Sequence, residues 1–208
     1  MCCDLLEFWV LFTNLSANSA YALCAPFLPL EFDKKGIEGA YVGMVFALYS
    51  VAVIFVSPLV GKVVDSWGHK NLLSIGIGFM GIAFIFFGFI EVMESKPAIL
   101  ILGCVLRFLQ GMASAFVQTT CYTIATNDFP EKQERLIGLL EAMAGFGLIA
   151  GPIIGSALYS FLGFEKTFFV YGGFEVLLAI VIRLNVPDRR INLDKPQDAA
   201  TERLADLK

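Results

Sequence analysis

Charge is the first thing this chain lacks. Asp, Glu, Lys and Arg make up 16% of its 208 residues, against about a quarter in an ordinary soluble domain. Histidine is reduced to one residue, His69, and no Cys/His spacing accompanies it, so no metal-ligand set is expected. The five cysteines do not make a disulfide framework. Cys24, Cys104 and Cys121 fall inside apolar runs, where a free thiol behaves as a small hydrophobe. Cys2 and Cys3 precede the first apolar run and read either as plain thiols or as palmitoylation sites. A concentrated basic patch is also missing. The net charge of −4 is a small difference between scattered charges, which gives no footprint for nucleic acid. Nucleophile–base pairs and phosphate-binding loops are absent too, so neither catalysis nor a cofactor is expected. A secretory signal is not expected in these residues, because Asp4 and Glu7 stand where positive charge belongs.

What remains is apolar. The chain is 57% hydrophobic, with 20 phenylalanines, and its mean hydropathy is +0.73. A soluble core cannot absorb that much, so the chain is an integral membrane protein. A crossing needs about 20 apolar residues, and six such spans are expected at 8–30, 40–60, 71–91, 98–124, 136–162 and 166–185. Residues 1–7 then form a short cytosolic N-terminus and 186–208 a polar cytosolic tail. With the N-terminus inside, ten Lys and Arg residues fall on the cytosolic side and four on the other, the excess resting on the tail. The Asn14-Leu15-Ser16 sequon lies inside the first span and is not expected to carry a glycan.

Span 5 contains Gly147-Leu148-Ile149-Ala150-Gly151-Pro152-Ile153-Ile154-Gly155. Glycines at i, i+4 and i+8 share one helical face, where another backbone can approach closely. Pro152 removes a hydrogen bond, so a bend or hinge is expected there. Bilayer helices tolerate both residue types better than soluble ones do.

Polar residues stand where lipid disfavours them. In span 1, Asn14, Asn18 and Tyr21 share a face, which reads either as cavity lining or as interhelical hydrogen bonding. In span 4, Arg107, Gln110 and Ser114 share a face continued by Gln118 and Cys121. Arg107 lies roughly 14 Å from the outer end of its span, and Glu141 enters span 5 roughly 8 Å from the cytosolic side. The two are expected to couple, or Glu141 to serve as a carboxylate for a substrate cation and a proton. Alternatively, Glu141 sits at the interface on backbone amides. Between spans 2 and 3, Gly61-Lys62-Val63-Val64-Asp65-Ser66-Trp67-Gly68-His69-Lys70 allows a tight turn. In it Asp65 is placed to cap a helix or to pair with a base such as Arg135.

Together these residues resemble the major facilitator superfamily. Gly61-x-x-x-Asp65-x-x-Gly68-His69-Lys70 is similar to its loop between helices 2 and 3, with His69 where arginine is usual. Arg107-Phe-Leu-Gln110-Gly111 resembles its helix 4 motif, and Gly147-x-x-x-Gly151-Pro152-x-x-Gly155 its helix 5 antiporter motif. Pro26-Phe27-Leu28-Pro29, Lys34-Lys35-Gly36 and Leu140-Glu141 ahead of Gly145 are similar to the vesicular amine and polyamine transporter-like branch. The resemblance covers about 8–185 and implies an all-α integral membrane fold. Its six transmembrane helices would form one half of a major facilitator fold, built from two three-helix repeats.

The function this implies is proton-coupled antiport of a small organic cation such as a polyamine or monoamine, by a half-transporter. Glu141 would attract the cation, Arg107 would link to the proton, and the glycines of span 5 would let the bundles move. The partners expected are that cation, protons, the bilayer and a second six-helix bundle, against which the helix 5 glycines would pack. A vesicle or organelle membrane is expected from the branch. The alternative is a non-transporting membrane protein that keeps the half-fold and binds a partner or lipid.

Overall fold

The computed structural model describes residues 2–186, and the side chains of 5–186 apart from residue 65. Among these residues there are five helices, one 3-10 turn and no strand. They are α1 (Cys2–Lys34), α2 (Gly39–Trp67), α3 (His69–Gly88), α4 (Lys96–Asn127), the turn Pro130–Lys132, and α5 (Gln133–Asn185). The expected tail of 186–208 lies, apart from Val186, outside the described residues, as do the side chains of Cys2, Cys3 and Asp65.

α5 is far too long for one crossing. Its backbone leaves helical geometry at Gly163, where φ is 80° and ψ −177°, a conformation open to glycine and strained for other residues. The first limb (133–162) runs parallel to α1: Gly147 meets Leu15, Gly151 meets Ser19, and Gly155 meets Phe27. The second limb (164–185) runs the other way, with Glu175 on Ser16. The chain therefore reverses at Gly163 and makes two crossings. The second limb restarts on a side-chain cap, the backbone N–H of Glu165 donating to Glu91 Oε2 at 2.8 Å.

The bend expected at Pro152 is not where the backbone breaks. The helix continues through Pro152, as membrane helices can when neighbours satisfy what proline frees.

Segments Gly39–Val64, His69–Gly88, Lys96–Asn127 and Pro130–Asn185 are long and apolar enough to cross a bilayer. α1 falls outside that set because Thr13, Asn14, Ser16, Asn18 and Ser19 fill its middle. It nevertheless runs alongside the first limb of α5 from residue 15 to 27 and crosses with it, giving six crossings. Large apolar side chains face outward, among them Ile54, Phe55, Ile149, Ile153 and Phe161, as suits a surface solvated by acyl chains.

The packing has a two-fold pattern. α1 lies along the first limb of α5, α2 along α4, and α3 along the second limb. First meets second, second meets first, and third meets third, the arrangement of two inverted three-helix repeats. Apolar contact gains little between helices already in lipid, so close approach by small residues holds these pairs. A Cβ added to Gly151 would lie 2.3 Å from Ser19 O, and one on Gly111 2.3 Å from Tyr49 O. At the third pair, Gly81 and Gly172 each meet the other's carbonyl. The glycine face of the first limb is thus spent on α1 within this bundle. The expectation that it packs on a second bundle does not hold for Gly147, Gly151 and Gly155.

Contacts at each end show which segments lie together. At one, the termini end, His69 meets Asp128, Arg135 meets Glu7 and Arg183 meets Asn71. At the far end, Lys35 Nζ donates to the carbonyls of Glu91 and Met93, and Lys96 Nζ to Gly36 O. Lys34 Nζ donates to Tyr159 Oη and to Glu31 Oε2, both at 3.2 Å. The Tyr159 bond first, and then Glu31, push the Lys34 pKa above the ordinary lysine value.

Candidate functional site

Five aromatic and polar positions on four helices converge on Arg107. Its side chain is fully buried, with the guanidinium carbon 4.3 Å from the ring centre of Phe46, 5.7 Å from Tyr21, and 5.9 Å from both Tyr49 and Phe87. Nη1 donates to Gln110 Oε1 at 3.2 Å, one turn along α4. Nε and Nη2 have no hydrogen-bond partner among the described residues, nor has Gln110 Nε2. A guanidinium favours aromatic faces, by about 2 kcal/mol when desolvated. That is well short of the several kcal/mol that burying an ion costs.

The helical period sets the rest of the α4 face. Gln118 Nε2 donates to Ser114 Oγ at 2.9 Å, and Tyr122 Oη donates to Glu141 Oε1 at 2.5 Å. From Arg107 through Gln110, Ser114 and Gln118 to Tyr122, a polar stripe runs along α4 and ends on the carboxylate from α5. Beside its lower part lies a cleft of about 410 Å³, lined by Ser57, Gln118, Thr119, Tyr122, Thr123 and Thr126. Each of these residues carries a hydroxyl or an amide, set among a larger area of carbon surface.

The structure does not bring Arg107 and Glu141 together. Tyr122, which holds Glu141, is fifteen residues from Arg107, roughly 22 Å along the helix axis. The direct coupling expected from depth alone fails because Glu141 lies on the exposed side of the first limb. The two groups mark opposite ends of the α4 stripe.

The span 1 residues divide. Asn14 is buried and its Nδ2 donates to Leu140 O at 2.7 Å, so it ties α1 to α5. Asn18 Nδ2 donates to Asn14 O at 2.8 Å and stays half-buried. Tyr21 packs on Tyr49, ring centres 4.5 Å apart, as part of the wall around Arg107. Glue accounts for Asn14, and site lining accounts for Tyr21.

In the loop at the termini end, Gly68 alone joins α2 to α3, with φ 81° and its N–H on Val64 O. His69 opens α3, is buried, and places Nδ1 3.4 Å from Asp128 Oδ2 at the end of α4. Gly61 faces Thr119 with room to spare, and Lys70 is half-buried. The side chain of Asp65 lies outside the described residues. Arg135, the base proposed for it, sits 3.8 Å from Glu7.

Sequence reasoning missed Glu175. Its side chain is fully buried in the second limb, Oε1 accepts from Ser16 Oγ at 2.7 Å, and Oε2 has no partner among the described residues. The signal was present: Glu175 interrupts an otherwise apolar run midway along span 6, where an ionisable group points to function.

A family model described as Major Facilitator Superfamily matches residues 10–207. The chain is similar to the MFS-type transporter SLC18B1 of Mus musculus, 30% identical over 173 residues, which cover 83% of this chain and 38% of that protein. It is 28% identical over 194 residues to the vesicular acetylcholine transporter of Rattus norvegicus, covering 92% of this chain and 33% of that protein. Multidrug resistance protein 1 of Bacillus subtilis (strain 168) is 28% identical over 185 residues, covering 86% and 45%. The chain thus spans less than half the length of each of these relatives.

Proposed function

Because the chain belongs to the major facilitator superfamily, we propose that it is the N-terminal bundle of a proton-coupled transporter of small organic cations, acting with a second six-helix bundle. The observation that carries this reading is the α4 stripe, a buried guanidinium at one end and a cleft-side carboxylate at the other. A buried ion without a counter-charge is a poor packing element, since a hydrophobic residue fills the same volume at lower cost. Its role is therefore chemical. Arg107 repels a second cation and biases protonation nearby, while Glu141 supplies the negative charge that draws an organic cation to the cleft. Tyr122 orients that carboxylate. Tyr21, Tyr49 and Phe46 hold the guanidinium in place by their ring faces.

One relative is named for acetylcholine, a quaternary ammonium ion, and the substrate class is extended from it and from the vesicular amine transporter-like branch. The same relatives support a vesicle membrane, and the Lys/Arg excess, which rests on the tail, supports placing the termini end in the cytosol. The helix pairs within this bundle are closely packed, and alternating access would come from rocking it against the second bundle.

The test is gradient-driven uptake of labelled polyamine, monoamine and acetylcholine into proteoliposomes, by this chain alone and joined to a second bundle. Uptake that needs the pH gradient and falls at least tenfold in Glu141→Gln is expected. Uptake unchanged in Glu141→Gln would remove that carboxylate from the mechanism. Absence of uptake in every arrangement would favour a non-transporting half-fold.

A further inference from the structure

A second cavity lies on the other side of α1. It occupies about 330 Å³ between α1 and the two limbs of α5. Ser16, Ser19 and Tyr171 bring hydroxyls to one end of it, but nearly all of the accessible lining is apolar, with walls that include Phe12, Ile154 and Phe174. Ile154 and Phe174 are 42% and 43% exposed, so the cleft opens sideways between the limbs, toward the acyl chains. Its volume is at the lower end of the range for small-molecule sites, about 300–1,000 Å³, and its lining follows their usual form of apolar walls with a few polar groups.

Glu175 stands behind this polar end. Ser16, which lines the cleft, donates to its Oε1 at 2.7 Å, and Tyr171 lies one turn before it on the same face of the second limb. Two oxygens here are buried without partners among the described residues, Glu175 Oε2 and Ser19 Oγ. Among the described residues Lys34 pairs with Glu31 and Arg135 with Glu7, His69 lies against Asp128, and no cationic side chain reaches Glu175. The second charge buried in the bundle, Arg107, is surrounded by rings from α1, α2 and α3.

We propose that this cleft is a lateral binding site for lipophilic organic ammonium ions, with Glu175 as the counter-charge. The ammonium head donates to Glu175 Oε2 and Ser19 Oγ, the two acceptors that lack donors, and its apolar tail lies between Phe12, Ile154 and Phe174. An anion would meet an uncompensated carboxylate there, and a neutral ligand would leave that carboxylate unpaired in an apolar setting. The site is separate from the α4 stripe, and its occupancy needs neither a gradient nor a second bundle.

The experiment uses the full chain in nanodiscs of zwitterionic lipid, with a dansylated alkylammonium probe and its uncharged N-acetyl counterpart. Saturable binding of the charged probe is expected, weakened at least tenfold in Glu175→Gln and about threefold in Ser19→Ala. The neutral counterpart should bind weakly and equally to wild type and Glu175→Gln. Charged-probe affinity within twofold of wild type in Glu175→Gln, or equal binding of the two probes to wild type, would overturn the proposal and make the cleft a groove for acyl chains. If Glu175→Gln does not fold, Ile154→Trp narrows the cleft without touching the acid. A tenfold loss is expected from it, and unchanged binding would again overturn the proposal. Because no transport is read, failure of uptake elsewhere does not bear on this result.

Discussion

Gly151→Ala separates two accounts of the helix 5 glycines. The added Cβ would sit 2.3 Å from Ser19 O and 3.0 Å from Leu23 N, where ordinary contact begins near 3.4 Å. Both obstacles are backbone atoms of α1, so no side chain can rotate aside, and the helices must part by roughly 1 Å. Overpacking costs about 1–3 kcal/mol, and an approach of 2.3 Å to a backbone oxygen puts this site in the upper part of that range, about 2–3 kcal/mol. Replacing glycine by alanine within a helix returns about 1 kcal/mol, which leaves a net loss of roughly 1–2 kcal/mol. For a chain of this length that lowers the melting temperature by about 2–8 °C. Gly145→Ala is the control. Nothing lies within 4 Å of a Cβ built there, so only the helix gain remains and melting should hold or rise by up to about 4 °C. Both variants are read by thermal melting of the purified chain in one detergent, followed by size-exclusion fluorescence. If Gly151→Ala melts at or above wild type, the contact with α1 is not what that glycine serves, and a role against another bundle returns.

Arg107→Gln should reduce gradient-driven uptake at least tenfold while melting falls by no more than about 2 °C, since removing an unpaired buried charge relieves a cost as it forfeits ring contacts. A collapse of melting would make Arg107 a packing residue instead. Asn14→Ala removes one buried interhelical bond to Leu140 O, worth about 0.6 kcal/mol in membrane proteins, so melting should drop by about 1–2 °C; no drop would mean that the bond adds nothing. The pKa of Lys34 is raised above its ordinary 10.5, so whatever its Tyr159 and Glu31 contacts contribute is fully present below that value and lost only as pH rises beyond it. Melting compared between pH 7 and 9 should show no step that Lys34→Met removes, and such a step would contradict the assignment.

How much of this was legible in the sequence depends on what each residue's environment is made of. Spans and the polar face of α4 follow from apolar length and helical period, which are local properties, whereas the repeat architecture was implied by the family resemblance. The reversal at Gly163 is also local, because a glycine between two apolar runs marks the place. Partner choice is not local. Depth counted along separate spans put Arg107 and Glu141 within reach of each other, but such a count fixes neither how neighbouring helices slide past one another nor how each is turned about its axis. In the structure Glu141 is turned outward and meets Tyr122, roughly 22 Å along α4 from Arg107. The same missing coordinate hid the destination of the glycine face, which is α1.

Glu175 was hidden differently. It is the one carboxylate that sits in the middle of an apolar run, ten residues from Asn185 and thus roughly 15 Å inside the bundle. The motifs around the α4 stripe drew the reading elsewhere, though the cost of an acid at that depth was computable without a fold. Among the described residues the bundle buries one guanidinium and one carboxyl group completely, and each keeps nitrogens or an oxygen without a partner among those residues. Mutual pairing would have satisfied both and closed the account as structure. Instead Arg107 is enclosed by rings, while Glu175 backs onto a cleft open to lipid. The two centres are therefore separate. Double substitution tests that separation. Probe binding in Glu175→Gln and uptake in Arg107→Gln should each be unaffected by adding the other change, and strong non-additivity would mean that the two centres are one site.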